Sequence, residues 1–176
     1  YNIDTTNKAD LIIKDILAHS ARLLPGIGFY HKTTLRAKGF GFNSNYYSGI
    51  LQDKYTIPVA KGMFMRTDYI DSMYQAIYNS RLRESDNYRY SDLGFYLMQK
   101  VIENKIGKTL DEYTSSSFYK PLGLKYTTFK PLLKYNESII APTENDNYFR
   151  LQILKGHVHD MGAAMLGGVA GHSGLF

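Results

Sequence analysis

Apolar residues recur at helical spacing along much of the chain, which predicts a domain built mainly from α-helices. In the first helix, Leu11, Ile12, Ile16 and Leu17 form one apolar stripe. The Gly- and Tyr-rich stretch 24–66 is predicted to be a long loop, and loops of that length are usually functional. No segment shows the strong alternation that marks a half-buried strand, so few or short strands are expected. The predicted helices, the last of them short, cover about residues 9–20, 68–79, 91–105, 109–120 and 159–166.

Polar residues mark the starts of these helices. Thr67 and Ser91 stand where N-cap residues are expected, since their hydroxyls can accept from the free N–H groups of the first turn. Thr109 with Glu112 matches a capping box. These signals support the predicted boundaries of the second, third and fourth helices.

Composition narrows the choice of partners. The chain has sixteen Tyr and nine Phe. Because Tyr buries a ring and keeps its hydroxyl in water, this suits a surface that meets a second domain or a glycan. The net charge is +5, but the basic residues are scattered along the sequence, which argues against nucleic acid. An anionic partner, such as a cell-wall polymer or a carboxylate substrate, needs only a few of them.

Two absences in the sequence limit the chemistry and the topology. Without Cys the chain has no disulfide, no thiolate nucleophile and no zinc site built from Cys. It contains no run of 18 apolar residues, so no membrane span is expected. The 176 residues have the length of a single domain.

Three stretches resemble motifs of one hydrolase family. The segment 11–20 is similar to the helix after the nucleophile in class C β-lactamases, D-alanyl-D-alanine peptidases and related esterases. The sequence Tyr-Ser-Asp-Leu-Gly at 90–94 resembles their second active-site motif, Tyr-x-Asn. The sequence Phe-Tyr-Lys-Pro-Leu-Gly-Leu at 118–124 resembles the phrase that closes their next helix.

A fourth stretch narrows the resemblance to one bacterial branch. The segments 140–144, 156–160 and 167–176 are similar to a block of β-lactamase-related serine hydrolases, which are sometimes fused to a family 3 glycoside hydrolase domain. All four stretches follow the family's order and spacing. Residues 1–176 are therefore interpreted as the central, helical portion of a larger penicillin-binding-type α+β domain, with the rest of that domain as a partner. Members of the family are usually exported, so a periplasmic or cell-surface location is expected.

The resemblance implies acyl transfer to a serine, without a cofactor, on an ester, amide or peptidoglycan-type substrate. Tyr90 takes the position of the family's proton shuttle, and Asp92 takes that of the Asn that binds lysine and substrate. A phenol titrates near 10, so Tyr90 acts as a base only where neighbouring cations lower its pKa. Gly171, His172 and Ser173 are predicted to form a substrate-binding rim of the cleft.

Asp92 departs from the family pattern. An ionised carboxylate accepts hydrogen bonds but does not donate them, so a β-lactam oxygen would lose a donor, whereas a lysine ammonium would still be bound. Residues 91–93 can also be matched to the Ser-Asp-Asn of class A enzymes, again with one mismatch. β-Lactams are therefore less favoured as substrates.

The nucleophile is expected outside these residues. Within them a Ser-x-x-Lys pattern occurs only as Ser117 to Lys120. Pro121 follows directly and disfavours helical geometry at Lys120, so the match is interpreted as coincidental. The family's Ser-x-x-Lys is expected before residue 1 and its third motif after residue 176. The 176 residues alone are expected to be inactive.

Two other functions fit the sequence. The first is a non-catalytic helical module that binds glycan or cell wall through the Tyr-rich loop. The second is a metal-dependent hydrolase using His157, His159, Asp160 and His172, because alternate residues of an extended segment share a face. Asp160 can equally be the N-cap of the fifth helix, and a metal is not the favoured interpretation.

Overall fold

The computed structural model describes residues 3–34 and 42–176. Its α-helices are α1 (Ile13–Leu17), α2 (Tyr69–Tyr78), α3 (Leu93–Ile106), α4 (Leu110–Thr114) and α5 (Met161–Met165). Its strands are β1 (Tyr47–Ser48), β2 (Tyr55–Ala60), β3 (Met63–Arg66), β4 (Pro142–Asp146) and β5 (Gln152–Lys155). A π-helical turn, Ser115–Tyr119, continues α4. Short 3₁₀ turns occur at Ile3–Thr5, Phe29–Lys32, Pro131–Leu133 and Glu137–Ile139.

The prediction of a mainly α domain is wrong, because the fold is mixed α+β with two small antiparallel sheets. The first sheet has the order β1-β3-β2, and the second pairs β4 with β5. The first sheet lies inside the stretch 24–66 that was predicted to be a loop, of which residues 35–41 fall outside the described residues.

The sequence pattern did not reveal these strands, for physical reasons. β1 and β3 are two and four residues long, too short for an alternating pattern to stand out. β2 contains Pro58 and shifts register on both sides of the pairing between Ile57 and Met65, which breaks the alternation. β2 and β3 meet at a two-residue turn, Lys61 and Gly62, where Gly62 adopts a left-handed φ of 65°. That turn is typical of a tight hairpin.

The helix predictions have mixed outcomes. α2, α3 and α5 are confirmed, and Gly107 ends α3 in a left-handed conformation. α1 is much shorter than the predicted 9–20, and α4 passes into the π-helical turn. The N-cap prediction for Thr67 is wrong: its hydroxyl donates to Lys54 O at 3.1 Å and the helix begins after Asp68.

The core lies between the first sheet and the faces of α2, α3 and α5. It includes the buried side chains Val59, Met63, Met65, Met73, Ile77, Leu93, Leu97, Ala163 and Met165. α1 packs closely on α3 because Gly94 has no side chain: a Cβ there would lie 2.5 Å from Ile16 Cγ2. This packing holds the N-terminal end of α3, where the Tyr-Ser-Asp motif lies. No helix in the described residues is long and apolar enough to cross a membrane.

Candidate active site

A cleft of about 290 Å³ opens where α3 and α5 begin, beside the segment 26–30. Its walls carry the carboxylates Asp92, Glu144 and Asp160, and no Lys or Arg is among the described residues that line it. We refer to it as the acidic cleft. The remaining lining is mostly apolar or aromatic, including Phe29, Tyr30, Leu93, Tyr96 and Met161.

Tyr90 and Asp92 form a direct pair at the edge of this cleft. The Tyr90 hydroxyl donates to Asp92 Oδ1 at 2.6 Å, and 53% of the Tyr90 residue surface is exposed. The hydrogen bond to Asp92, then burial and the negative charges of Asp92 and Asp160, raise the pKa of Tyr90 to about 12. In this arrangement the phenol is a proton donor, so it needs a neighbouring cation before it can act as a base.

Ser91 and His19 orient this motif. Ser91 Oγ donates to Leu24 O at 2.6 Å and accepts from Leu93 N at 3.2 Å. The N-cap residue of α3 is Asp92, so the N-cap prediction for Ser91 is wrong by one position, although its hydroxyl does accept from the first N–H of the helix. The Ser91 N–H donates to His19 Nδ1 at 3.2 Å, and the His19 ring lies 4.7 Å from the Tyr90 ring. His19 therefore acts as a structural support for Tyr90.

His172 and Asp160 form the second pair of the site. His172 Nε2 lies 3.1 Å from Asp160 Oδ1, and the His172 side chain is only 5% exposed. The His172 ring packs on Tyr96, with 4.6 Å between ring centroids. Because an ionised carboxylate only accepts, this contact places a proton on Nε2. His172 Nδ1 has no hydrogen-bond partner among the described residues.

Asp160 also begins α5, as predicted. Its Oδ1 accepts from Ala163 N at 2.6 Å. Burial opposes ionisation of Asp160, but the hydrogen bonds from His172 and the Ala163 N–H outweigh it and lower its pKa. Asp160 thus remains a carboxylate although it is largely enclosed.

Asp92, Asp160 and His172 converge. Each offers one metal-ligand atom, and these atoms all lie within 4.8 Å of one another. Two carboxylates and an imidazole are a suitable donor set for a divalent ion such as Zn²⁺.

The metal set predicted from sequence does not assemble. Of its four members, only Asp160 and His172 belong to the convergent group found in the described residues. His157 lines a separate apolar cleft beside Leu132, where burial lowers its pKa. His159 lines the acidic cleft but stands apart from the group.

The three predicted rim residues, Gly171, His172 and Ser173, lie in one tight turn. Ala170 N donates to Ser173 O at 3.1 Å, which closes the turn around Gly171 and His172. A Cβ on Gly171 would lie 2.5 Å from Phe95 O, so the absence of a side chain lets this turn sit against α3. Gly171 is exposed, and Ser173 is half-buried. The fold thus brings Tyr90, Asp92 and His172 together, with Gly171 and Ser173 flanking His172.

A buried ion pair that sequence analysis missed supports the site. Arg150 Nε lies 2.6 Å from Asp146 Oδ2, and both side chains are fully buried. The same guanidinium donates to Val158 O at 2.7 Å and to His159 O at 2.5 Å. It therefore fixes the backbone just before Asp160. The two residues are four positions apart, but nothing in the sequence indicates that they are buried.

Ser117 has no catalytic surroundings in the described residues. It is exposed within the π-helical turn, and Lys120 follows that turn as an exposed side chain. No hydrogen bond links Ser117 to Lys120 within residues 3–34 and 42–176. Lys120 keeps helical dihedral angles, φ −64° and ψ −49°, so the expectation that Pro121 disfavours them there is wrong. That the Ser-x-x-Lys match is coincidental stays a prediction.

The sequence is similar to bacterial proteins with cell-wall names. A protein of Escherichia coli K12 named "Putative D-alanyl-D-alanine carboxypeptidase" is 42% identical over 99 residues, covering 49% of this chain and 23% of that protein. A Salmonella newport protein of the same name is 40% identical over the same length, with the same coverage. The "N-acetylmuramyl-L-alanine amidase" of Bacillus subtilis 168 is 39% identical over 99 residues, covering 49% of this chain and 22% of that protein.

The chain thus spans less than a quarter of the length of these relatives in the matched region. No family model matches the chain. No solved structure matches it significantly.

Proposed function

We propose that the chain is part of an exported hydrolase that cleaves an amide or ester bond in peptidoglycan-type substrates. The cell-wall names of the similar proteins support this substrate class. The observation that carries the proposal is that Tyr90 and His172 both approach Asp92, which lines the acidic cleft. These residues come from two stretches that resemble serine hydrolase motifs.

In the proposed mechanism, a serine from outside these 176 residues attacks the substrate carbonyl as its proton passes to the Tyr90 phenolate, whose charge an adjacent lysine ammonium stabilises. The C–N or C–O bond breaks, and Tyr90 gives that proton to the leaving amine or alcohol. Water then attacks the acyl-enzyme and gives a proton to the Tyr90 phenolate, which passes it to the serine oxygen as the acid is released. Electrons and protons balance over this cycle.

Asp92 sets the protonation state of Tyr90 in this scheme. With only the Asp92 carboxylate beside it, the phenol has a raised pKa and keeps its proton. A lysine ammonium bound to Asp92 would neutralise that charge and bring the pKa of Tyr90 down. Completion of the site by the nucleophile segment would therefore turn Tyr90 from a fixed donor into a proton shuttle.

The rim residues have a positioning and binding role in the proposal. The bond between Asp160 and His172 ties the turn 170–173 to the start of α5, and Gly171 packs against Phe95 of α3. Gly171 and Ser173 would then offer exposed backbone and a hydroxyl to the substrate. The proposed substrate contact is polar, as an amide-rich substrate requires.

The test is Tyr90→Phe in the full-length protein, assayed on a D-alanyl-D-alanine peptide and on an N-acetylmuramyl-L-alanine amide. Loss of a positioned proton shuttle should lower kcat by roughly 10²- to 10⁴-fold while KM changes little. Tyr88→Phe is the matched control, because Tyr88 is 70% exposed and contacts the same His19 ring, but has no bond to Asp92. Similar activity of both variants and the unmodified protein would refute the role of Tyr90.

Metal-assisted hydrolysis is the second candidate, favoured by the convergence of Asp92, Asp160 and His172. A divalent ion held there would activate water, and no serine would be needed. Stoichiometric zinc that chelators remove together with activity would support this candidate. Covalent labelling of the full-length protein by a fluorophosphonate, with chelators having no effect, would support the serine mechanism.

A further inference from the structure

Five lysines that are spread over 27 residues of the sequence line two adjoining cavities, which share no lining residue with the acidic cleft. These lysines are Lys108, Lys120, Lys125, Lys130 and Lys134, and we refer to this region as the lysine cleft. It has two lobes of about 490 and 440 Å³. The lobes share Ser115, Tyr119, Lys120 and Lys134, so they adjoin.

The two carboxylates of this cleft are already engaged. Asp111 Oδ2 lies 2.7 Å from Lys130 Nζ. Burial would raise the pKa of Asp111, but the hydrogen bonds from Lys130 and Thr109 lower it, so the pair stays ionised. Glu112 Oε2 accepts from the Thr109 N–H at 3.2 Å as part of the capping box. Neither carboxylate makes an ion pair with the other four lysines in the described residues, and the five lysines of the cleft outnumber its two carboxylates.

Four lysines therefore carry positive charge without a carboxylate partner. Lys134 Nζ donates to the neutral Thr128 hydroxyl at 2.5 Å. Lys108, Lys120 and Lys125 make no ion pair within residues 3–34 and 42–176. All four side chains are exposed. Like charges on the walls of adjoining cavities raise the local positive potential and attract anions.

The walls also offer groups that suit a polymer with polar repeating units. The π-helical turn Ser115–Tyr119 places Ser115 and Tyr119 in both lobes. Such turns are rare in proteins, and those that occur are often at functional sites. Tyr135 lines the second lobe and packs on Tyr126, whose residue surface is 73% exposed. Hydroxyls and aromatic faces beside ammonium groups are suited to sugar or polyol units that carry acidic groups.

We propose that the lysine cleft binds a linear polyanion with repeated phosphate or carboxylate groups. Two adjoining concavities that share two lysines, each with a further lysine that has no ion pair in the described part of the chain, fit a chain of charges better than a single small anion or a flat membrane surface. This inference stands independently of the proposed hydrolase activity, because no residue of the acidic cleft takes part in it.

The test uses fluorescence anisotropy of the protein with two labelled polyanions, linear polyphosphate and polygalacturonate, and with neutral dextran as a blank. The variant Lys120→Gln/Lys134→Gln removes the two lysines that line both lobes. Its affinity should fall by about tenfold or more at low salt. If each contact contributes roughly 0.7 to the slope of log affinity against log salt, that slope should fall by about 1.4.

The matched control is Lys14→Gln/Lys54→Gln, which removes the same charge from two exposed lysines that are outside the cleft and far from its lysines in the sequence. At 0.15 M ionic strength the affinity of this control should stay within about threefold of the unmodified protein, because exposed charges beyond a Debye length of about 8 Å are largely screened. A preference for polyphosphate or for polygalacturonate identifies the acidic group that the cleft takes.

Three results would overturn the proposal: no salt-sensitive binding of either polymer, an equal loss in both double variants, or tighter binding to anionic phospholipid vesicles than to both polymers. The last would indicate a membrane surface. Circular dichroism of each variant checks that the fold is unchanged, and all four substituted lysines are exposed.

Discussion

The acidic cleft and the lysine cleft lie on one small chain, yet they are constructed differently. The carboxylates of the acidic cleft are tied into the structure: Asp92 accepts from Tyr90, and Asp160 holds both His172 and the start of α5. The lysines that line the other cleft are mostly exposed and without ionic partners. Fixed, hydrogen-bonded groups suit chemistry at a defined position, whereas mobile ammonium groups suit a partner whose charges repeat. The net charge of +5 does not show that carboxylates line one cleft and lysines line the other.

The largest expected effect distinguishes the buried ion pair behind the acidic cleft from the ion pair in the lysine cleft. Arg150→Met leaves Asp146 buried without its cationic partner, which should lower the free energy of unfolding by about 3–5 kcal/mol. Lys130→Met removes a partly exposed pair and should cost only about 1 kcal/mol. Urea unfolding of both variants measures the difference. Equal losses would mean that the two clefts do not differ in this way.

The next effect concerns the phenol of the acidic cleft. Asp92→Asn removes the charge that raises the pKa of Tyr90, so this pKa should fall from about 12 towards its ordinary value near 10. The absorbance of phenolate against pH measures it, with a Tyr90→Phe variant subtracted in each background. Glu144→Gln removes a carboxylate of the same cleft that has no bond to Tyr90 and should leave the titration unchanged. A Tyr90 titration that does not change in the Asp92→Asn variant would contradict the assigned cause.

The smallest expected effect is a loss of stability at low pH, to which one carboxylate of each cleft should contribute. Asp160 and Asp111 both have a lowered pKa, so each stabilises the fold above its unfolded-state pKa near 3.9, and that contribution is lost as pH falls through the folded-state pKa. Between about pH 5 and pH 2, the free energy of unfolding should fall less in Asp160→Asn and in Asp111→Asn than in the unmodified protein. The lowered pKa of each carboxyl places its protonation in the folded state within this window. Urea midpoints across this range provide the measurement. Variants as acid-sensitive as the unmodified protein would rule out these carboxylates as the cause.

Local signals in the sequence predicted part of the fold. α2 and α3 were predictable because their apolar faces recur over ten and fourteen residues, enough for a period to show. α5 is short, but Asp160 marks its beginning. The sheets were not predictable, because β1 and β3 are very short and Pro58 with a shifting register interrupts β2.

The candidate site shows the same limit. The resemblance of residues 90–94 and 167–176 to known motifs singled out Tyr90, Asp92 and His172, and the fold does bring them together. The metal alternative grouped Asp160 with His172 but joined them to His157 and His159 instead of Asp92, because the approach of Asp92 to both depends on how α5 packs against α3. The lysine cleft could not be predicted from sequence windows, since its five lysines are spread over residues 108–134 and meet only through the fold.

The buried guanidinium of Arg150 has a consequence for how the acidic cleft meets its substrate. By binding the carbonyls of Val158 and His159, it sets the backbone that leads into Asp160 before any substrate arrives. A site that is preorganised in this way does not have to lose conformational entropy on binding, so more of the binding free energy is left for the reacting groups. The buried guanidinium therefore lies behind the cleft, where it holds the backbone in place without lining the cleft itself.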